Sequence, residues 1–163
     1  MPTLSLTKGK EVLLDEPDYQ WARRWKWMAQ GNGAGLWYAA RRVKGKLLLL
    51  HRELLGDPHG RLVDHRNGNT LDCRRKNLRV ATKAQNGQNS RKTCKQTTSR
   101  YKGVCHVPRI NKTNPWIAYI GGAGRPTKRR YLGYFSNEKL AALAYDSAAR
   151  ELFGEFAKLN CPI

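Results

Sequence analysis

Apolar residues fall in short clusters punctuated by Gly, Asn and Asp, and only near the C-terminus do they follow a long helical period. Leu4 and Leu6 precede a Lys8-Gly9-Lys10 turn, and Val12-Leu13-Leu14 reads as the returning strand. Asp15-Glu16-Pro17-Asp18 sets acids and a proline where a first helical turn tolerates both, predicting a short helix through Tyr19 and Ala22. Trp25, Trp27 and Ala29 alternate as on a strand. Residues 31–35 are a Gly-rich loop, and Leu36-Trp37-Tyr38-Ala39-Ala40 reads as the next strand. Residues 47–50 are a buried strand or helix entry leading into His51-Arg52-Glu53-Leu54-Leu55.

The middle of the chain has a different texture. Leu62-Val63-Asp64-His65 is a short apolar run ending in an acid and an imidazole. Asn67-Gly68-Asn69 marks a turn, a basic irregular stretch runs to Asn77, and strand character returns at Leu78-Arg79-Val80-Ala81. Thr82 with Gln85 forms a capping-box signature, so a helix carrying Asn86 follows. This strand, loop, strand and helix would bring an acid, an imidazole and an amide around one point. Residues 88–99 are polar and basic without an apolar period and read as the helix tail and a linker.

Beyond Ser99 three strands are predicted: Tyr101 to Val107, Pro115 to Ile120 and Lys128 to Phe135, with turns at 111–115 and 121–127. Ser136 is the expected cap of a helix whose stripe Leu140, Leu143, Ala144, Ala148 and Leu152 is the expected core face. Asp146 and Arg150 make an i,i+4 pair, and Gly154 ends the helix. The fold class is therefore α+β.

Charge changes the picture more than length does. The 163 residues carry a net +19, which calls for a polyanionic partner. Residues 61–130 hold +16 of it, against +4 for residues 1–60 and −1 for residues 131–163. Trp116, Ile117, Tyr119 and Ile120 interrupt the basic stretch with strand texture, unlike a disordered tail. Four of the five tryptophans lie between Trp21 and Trp37, where they serve a small core better than base stacking. Cys73, Cys94, Cys105 and Cys161 show no C-x-x-C pairing, which points away from structural zinc and towards free thiols in a reducing compartment. No apolar run approaches spanning length, so the expectation is a soluble cytoplasmic protein of a bacterial or phage-infected cell.

Asp64-His65, Asn-Gly-Asn at 67–69, Asn77-Leu78-Arg79-Val80-Ala81-Thr82 and Asn86 together resemble the HNH nuclease motif, a ββα-metal fold. Asn77 and Asn86 follow His65 by 12 and 21 residues, spacings that suit the family. The resemblance implies that His65 is the general base and that Asn77 ties the loop down. It also implies that Asp64 and Asn86 hold one Mg²⁺ or Mn²⁺ ion, for which oxygen ligands are apt. Arg66, Arg75, Lys76, Arg79 and Lys83 become candidates for holding phosphates, while His51 is assigned to orienting or packing. Thr7 to Lys10, Asp18-Tyr19 and Lys26-Trp27 resemble a lead-in of phage-type HNH proteins.

Ser99 to Val104, Tyr131-Leu132-Gly133-Tyr134-Phe135, the Ala-rich helix with Tyr145-Asp146, and Ala157 to Asn160 resemble the plant Apetala/ethylene-response-factor domain. That family lays its sheet in the DNA major groove. By position the DNA-facing candidates are Lys102, Cys105, Val107, Arg109, Tyr119, Arg129 and Tyr131, with Gly103, Gly133, Tyr145, Asp146 and Asn160 as scaffold. Cys105 and Val107 stand where the plant domains place arginines and Tyr119 replaces an acid, so the plant target sequence does not transfer.

The expected organisation is a β-rich lead-in at 1–46, the nuclease motif at 47–91, a basic linker at 92–98 and the Apetala-type domain at 99–163. The expected function is site-directed cleavage of double-stranded DNA, of the homing or mobile-element kind and by nicking, with no obligatory protein partner. The alternative is a non-catalytic, sequence-specific DNA-binding regulator on a nuclease-like fold. An RNA-binding role fits the duplex-reading module less well.

Overall fold

A computed structural model describes residues 1–91, 98–121 and 129–162. It is a mixed α and β protein with several small antiparallel sheets and, among the described residues, four α-helices. The chain divides into two compact units, Met1–Thr82 and Lys83–Ile163.

In the first unit β1 (Thr3–Ser5) and β2 (Glu11–Leu13) form a hairpin around a 3-10 turn at Thr7–Gly9. Helix α1 (Glu16–Ala22) starts at the acidic, proline-bearing segment. β3 (Met28–Gly31), β4 (Trp37–Val43) and β5 (Lys46–Leu49) make a meander leading into α2 (Leu50–Leu54). β6 (Leu62–His65) then pairs antiparallel with β7 (Leu78–Ala81).

One core joins these pieces. Leu6, Val12, Leu14, Trp27, Ala39 and Leu50 pack with Val63, Cys73 and Leu78, so residues 1–46 share their interior with the β6–β7 region. The loop between β6 and β7 is laced to β2: Leu13 N donates to Leu71 O at 2.8 Å and Cys73 N to Leu13 O at 2.9 Å. The tryptophans are core material: Trp27 is buried, and Trp21, Trp25 and Trp37 pack against the same cluster. β3 starts later than the alternation at Trp25 suggests. The Trp27 indole instead turns back to donate to Ala22 O at the end of α1, at 2.9 Å. Arg41 lies over the Trp25 ring, 4.2 Å from its centroid, and forms a two-pronged pair with Glu53.

The second unit begins with α3 (Lys83–Asn89), at the residue after Thr82. β8 (Val104–His106), β9 (Trp116–Gly121) and β10 (Arg129–Phe135) form an antiparallel meander with β9 in the centre. Helix α4 (Glu138–Phe153) packs across it and ends at Gly154, which has φ +51. Most of the expected linker and the expected 121–127 turn lie outside the described residues.

Three expectations for α4 are corrected. Its cap is Asn137, whose side chain accepts from Leu140 N at 2.9 Å, and not Ser136. Its core face is Ala141, Ala142, Tyr145, Ala148 and Ala149, while Leu140, Leu143 and Leu152 stay 42–48 % exposed. Small residues win that face because the helix lies close against Val104, Ala118 and Ile120 of the sheet. Asp146 does not pair with Arg150: fully buried, it accepts the N–H groups of Asn160 and Cys161, each at 2.7 Å. Burying a carboxylate demands such donors, and backbone amides supply them without another charge.

Gly103 is required at its position. It sits at φ +74, and a Cβ there would lie 2.5 Å from the Tyr119 carbonyl oxygen and closer still to the Tyr145 ring. Gly103→Ala is expected to destabilise the second unit by roughly 2–5 kcal/mol, combining left-handed strain with overpacking. The shift in urea midpoint measures it, with a Gly33→Ala control in open space.

Candidate functional site

The site candidates of the first unit gather where β6 meets the loop that follows it. Asp64 lies opposite Arg79 in the β6–β7 register. The Arg79 Nε donates to Asp64 Oδ2 at 2.9 Å and its terminal nitrogen lies 2.8 Å from the same oxygen. Both side chains are buried, with 7 % and 6 % exposure. Arg79, expected to hold phosphate, is therefore turned inward to balance the carboxylate.

His65 closes the same strand and is also buried. Desolvation pushes its imidazole down to about 4, against the opposing pull of Asp64 and Asp72, so it is neutral at pH 7. Its ring meets His51 edge-on, with centroids 5.0 Å apart, and Tyr38 lies 5.4 Å from His51 and 6.4 Å from His65. His51 is pushed down to about 3, first by its own burial and then by His65 and Arg52. The His51 Nδ1 is buried without a hydrogen-bond partner among the described residues. Cys73 Sγ sits 3.9 Å from His65 Nε2; burial and then Asp72 push the thiol up to about 12, so it stays protonated.

The loop is held by its own polar groups. Asn77 Oδ1 accepts from Asn67 N at 3.0 Å, and its Nδ2 donates to Asp72 O at 2.7 Å. Asp72 is 1 % exposed; Arg74 grips both its oxygens, at 2.7 and 2.6 Å, and Asn67 Nδ2 adds a third contact at 2.8 Å. The Arg74 bonds foremost, with help from Asn67, hold the Asp72 carboxyl below its ordinary range despite burial. Asp72 and Arg74 lie outside the candidate set drawn from the sequence, although an acid midway between Asn67 and Asn77 in a turn-rich loop is a usable signal. Tyr38 had none, because only the β4 strand brings it to the histidines.

Arg66 and Lys76 are exposed on this loop. Arg75 is exposed too, but its guanidinium lies on both oxygens of Asp18 at 2.8 Å. Asn86 and Lys83 are exposed on α3, in the second unit.

Within the second unit the β9–β10 register sets Tyr131 opposite Tyr119. The Arg129 guanidinium lies 4.7 Å over the Tyr119 ring, Cys105 Sγ is 3.4 Å from the Tyr119 hydroxyl, and Tyr134 packs against Tyr131. Tyr119, Arg129 and Tyr131 thus share the sheet face opposite Ala118 and Ile120, which α4 covers. Arg109 is exposed in the turn after β8. Lys102 is elsewhere engaged: its ammonium donates to the carbonyls of Gly87, Gln88 and Ser90 at 3.4, 2.7 and 2.8 Å. Burial, with Lys158 nearby, pushes it down to about 8.

No group of three or more His, Cys, Asp or Glu side chains that could hold a metal occurs among the described residues. A magnesium-type ion keeps several waters and needs only one or two protein oxygens beside phosphate. The Asp64 carboxylate is the acid in this stretch, and Arg79 holds its Oδ2. The three described cysteines, Cys73, Cys105 and Cys161, are free thiols, and no described helix is long and apolar enough to cross a membrane.

Residues 57–88 match the sequence model of the HNH endonuclease family. An uncharacterized HNH endonuclease of Acanthamoeba polyphaga mimivirus is 35 % identical over 98 residues, covering 60 % of this chain and 46 % of the relative. Dehydration-responsive element-binding protein 2D of Arabidopsis thaliana is 47 % identical over 62 residues, 38 % of this chain and 28 % of the relative. Dehydration-responsive element-binding protein 2E of rice, Oryza sativa subsp. japonica, is 44 % identical over 62 residues, 38 % of this chain and 18 % of the relative. The chain spans less than half the length of the curated relatives it matches. No solved structure matches it significantly. The endonuclease and DNA-binding resemblances drawn from the sequence are thereby supported.

Arg79→Met is expected to cost about 3–5 kcal/mol of stability, because it strands the buried Asp64 carboxylate. Urea unfolding measures the loss, and Asp64→Asn combined with Arg79→Met should recover part of it. Acid should act on the histidines with a definite sign. Both folded-state values lie below the ordinary 6.5, so the unfolded chain binds protons first. Their contribution is full above pH 6.5 and declines as the pH falls through about 4 for His65 and about 3 for His51. Each ring imposes a slope of up to about 1.4 kcal/mol per pH unit. Unfolding curves between pH 7 and 4 should flatten in His51→Gln.

Proposed function

We propose that this protein is a site-directed, metal-dependent endonuclease that hydrolyses phosphodiester bonds of double-stranded DNA. On this reading it nicks, with one active centre per chain, and belongs to the homing or mobile-element kind. The observation that carries it is Asp64-His65 closing β6, with Asn77 tying down the loop behind it, inside the stretch that matches the HNH endonuclease model.

The roles follow from the chemistry of the groups. His65 takes a proton from water as that water attacks phosphorus opposite the 3′ oxygen; the bond from phosphorus to the 3′ oxygen breaks and that oxygen takes a proton from solvent, leaving a 5′-phosphate and a 3′-hydroxyl. Asp64 and Asn86 are the residues that would hold one Mg²⁺ or Mn²⁺ ion. When bound, such an ion supplies neutralisation of the phosphorane charge and of the departing oxygen. Asn77 holds the loop that positions the strand end. Exposed Arg66, Lys76 and Lys83, with the outer edge of Arg75, hold backbone phosphates without reading sequence. Tyr119, Arg129 and Tyr131, with Arg109 at the edge, read bases in the major groove.

One observation favours the second reading, a non-catalytic DNA-binding regulator. Arg79 already neutralises Asp64, so the carboxylate satisfies the fold without an ion. Nicking of supercoiled plasmid with and without Mg²⁺ separates the two. His65→Ala should lower the Mg²⁺-dependent rate on the order of 10²–10⁴-fold while duplex affinity holds. Equal rates at saturating Mg²⁺ would remove His65 as the base. Arg129→Ala should cost roughly 1–3 kcal/mol at one base pair and relax the preference there, read by binding-site selection at fixed salt.

A further inference from the structure

The helix that carries Asn86 is weak by itself. It has seven residues, Lys-Ala-Gln-Asn-Gly-Gln-Asn, with a glycine in its interior. Isolated helices shorter than about 12–15 residues are marginal in water, and a glycine costs about 1 kcal/mol more against alanine. Something must hold α3, and within the second unit the holder is visible. Lys102 directs its ammonium at the helix C-terminal carbonyls Gly87 O, Gln88 O and Ser90 O, a cation placed at the negative end of the helix. The 3-10 turn at Gly154–Phe156 packs on the same helix.

Lys102 is in turn fixed from behind. Its N–H donates to Asn160 Oδ1 at 2.7 Å, and Asn160 Nδ2 donates to Lys102 O at 3.0 Å. Asn160 N donates to the buried Asp146 of α4 at 2.7 Å. A continuous chain of bonds thus runs from α4 through Asn160 and Lys102 to the end of α3. The next residue is Gly103, whose carbonyl accepts from Tyr119 N on the central strand at 2.9 Å.

We infer that Lys102 is a positioning residue for cleavage: within the second unit it clamps α3 to the segment entering the sheet, so the order of the helix bearing Asn86 depends on the rest of that unit being folded. The part concerning cleavage rests on the endonuclease reading above, in which Asn86 is an ion ligand; the clamp itself does not. A consequence is that the C-terminal unit does more than choose the site. It supplies a structural condition for the nuclease, and a chain ending near residue 91 would lose activity as well as specificity.

The test uses the full-length chain and Lys102→Met, which keeps the stem and removes the donors, beside Lys102→Arg, which keeps donors. Amide hydrogen exchange should rise at least about tenfold across α3 in Lys102→Met, with β9 and β10 protection unchanged, and should stay near wild type in Lys102→Arg. The Mg²⁺-dependent nicking rate should fall at least about tenfold in Lys102→Met while duplex affinity and its salt slope hold, since no phosphate contact is lost. Unchanged α3 exchange, with weaker binding and a slope reduced by about 0.9, would make Lys102 a phosphate contact and overturn the clamp. Loss of protection across β9 and β10 as well would make it a general stability residue, which also overturns it. If wild type fails to nick, the endonuclease reading falls alone and the exchange comparison still decides the clamp.

Discussion

The first unit depends on one buried carboxylate. Asp72 sits in the middle of an irregular loop, almost without exposure, and every lone pair it brings inside has to be met. Arg74 and Asn67 meet them, and Asn77 caps the arrangement by bonding the Asp72 carbonyl and the Asn67 amide. The flanking backbone, Leu71 and Cys73, is stitched to β2 on either side. Because of this the loop after His65 is a fixed part of the core, and the strand end carrying Asp64 and His65 has a defined position.

Charge burial recurs around that strand end and sets its electrostatics. Asp64 is matched by Arg79 across the ladder, whereas the rings of His51 and His65 meet edge-on and burial is the largest influence pushing both of them down. The arrangement gives an uncharged imidazole at neutral pH beside a carboxylate already balanced by a cation.

The second unit repeats the device with different parts. Asp146 is buried against two backbone amides, one of them from Asn160, which brackets Lys102, which ends on the carbonyls of α3. Gly103 permits the sheet to approach Tyr145 at the same point. Scaffold and candidate reading surface are therefore on opposite faces of one thin sheet: alanines and Val104 inward, Tyr119, Arg129 and Tyr131 outward.

Much of this was legible in order along the chain. Turn chemistry at Lys8-Gly9-Lys10, the acidic proline start of α1, the β6 and β7 runs and the three C-terminal strands were local signals, and local backbone preferences settle them. Asp64, His65 and Asn77 could be singled out because their spacing survives in the linear sequence, and so could Tyr119, Arg129 and Tyr131. What could not be read were choices made by packing between distant segments. Leucine outweighs alanine in any hydrophobicity pattern, so the stripe Leu140, Leu143 and Leu152 was the natural core; closeness of approach to the sheet gave that face to the alanines. Arg79 and Lys102 look like any other cation of a basic stretch until strand register puts one against Asp64 and the chain's return puts the other at the end of α3. The sequence by itself determined the elements, the charge and the identity of the candidate groups. Only the tertiary structure decided which of those charges face inward, because a buried charge needs a partner that comes from elsewhere in the chain.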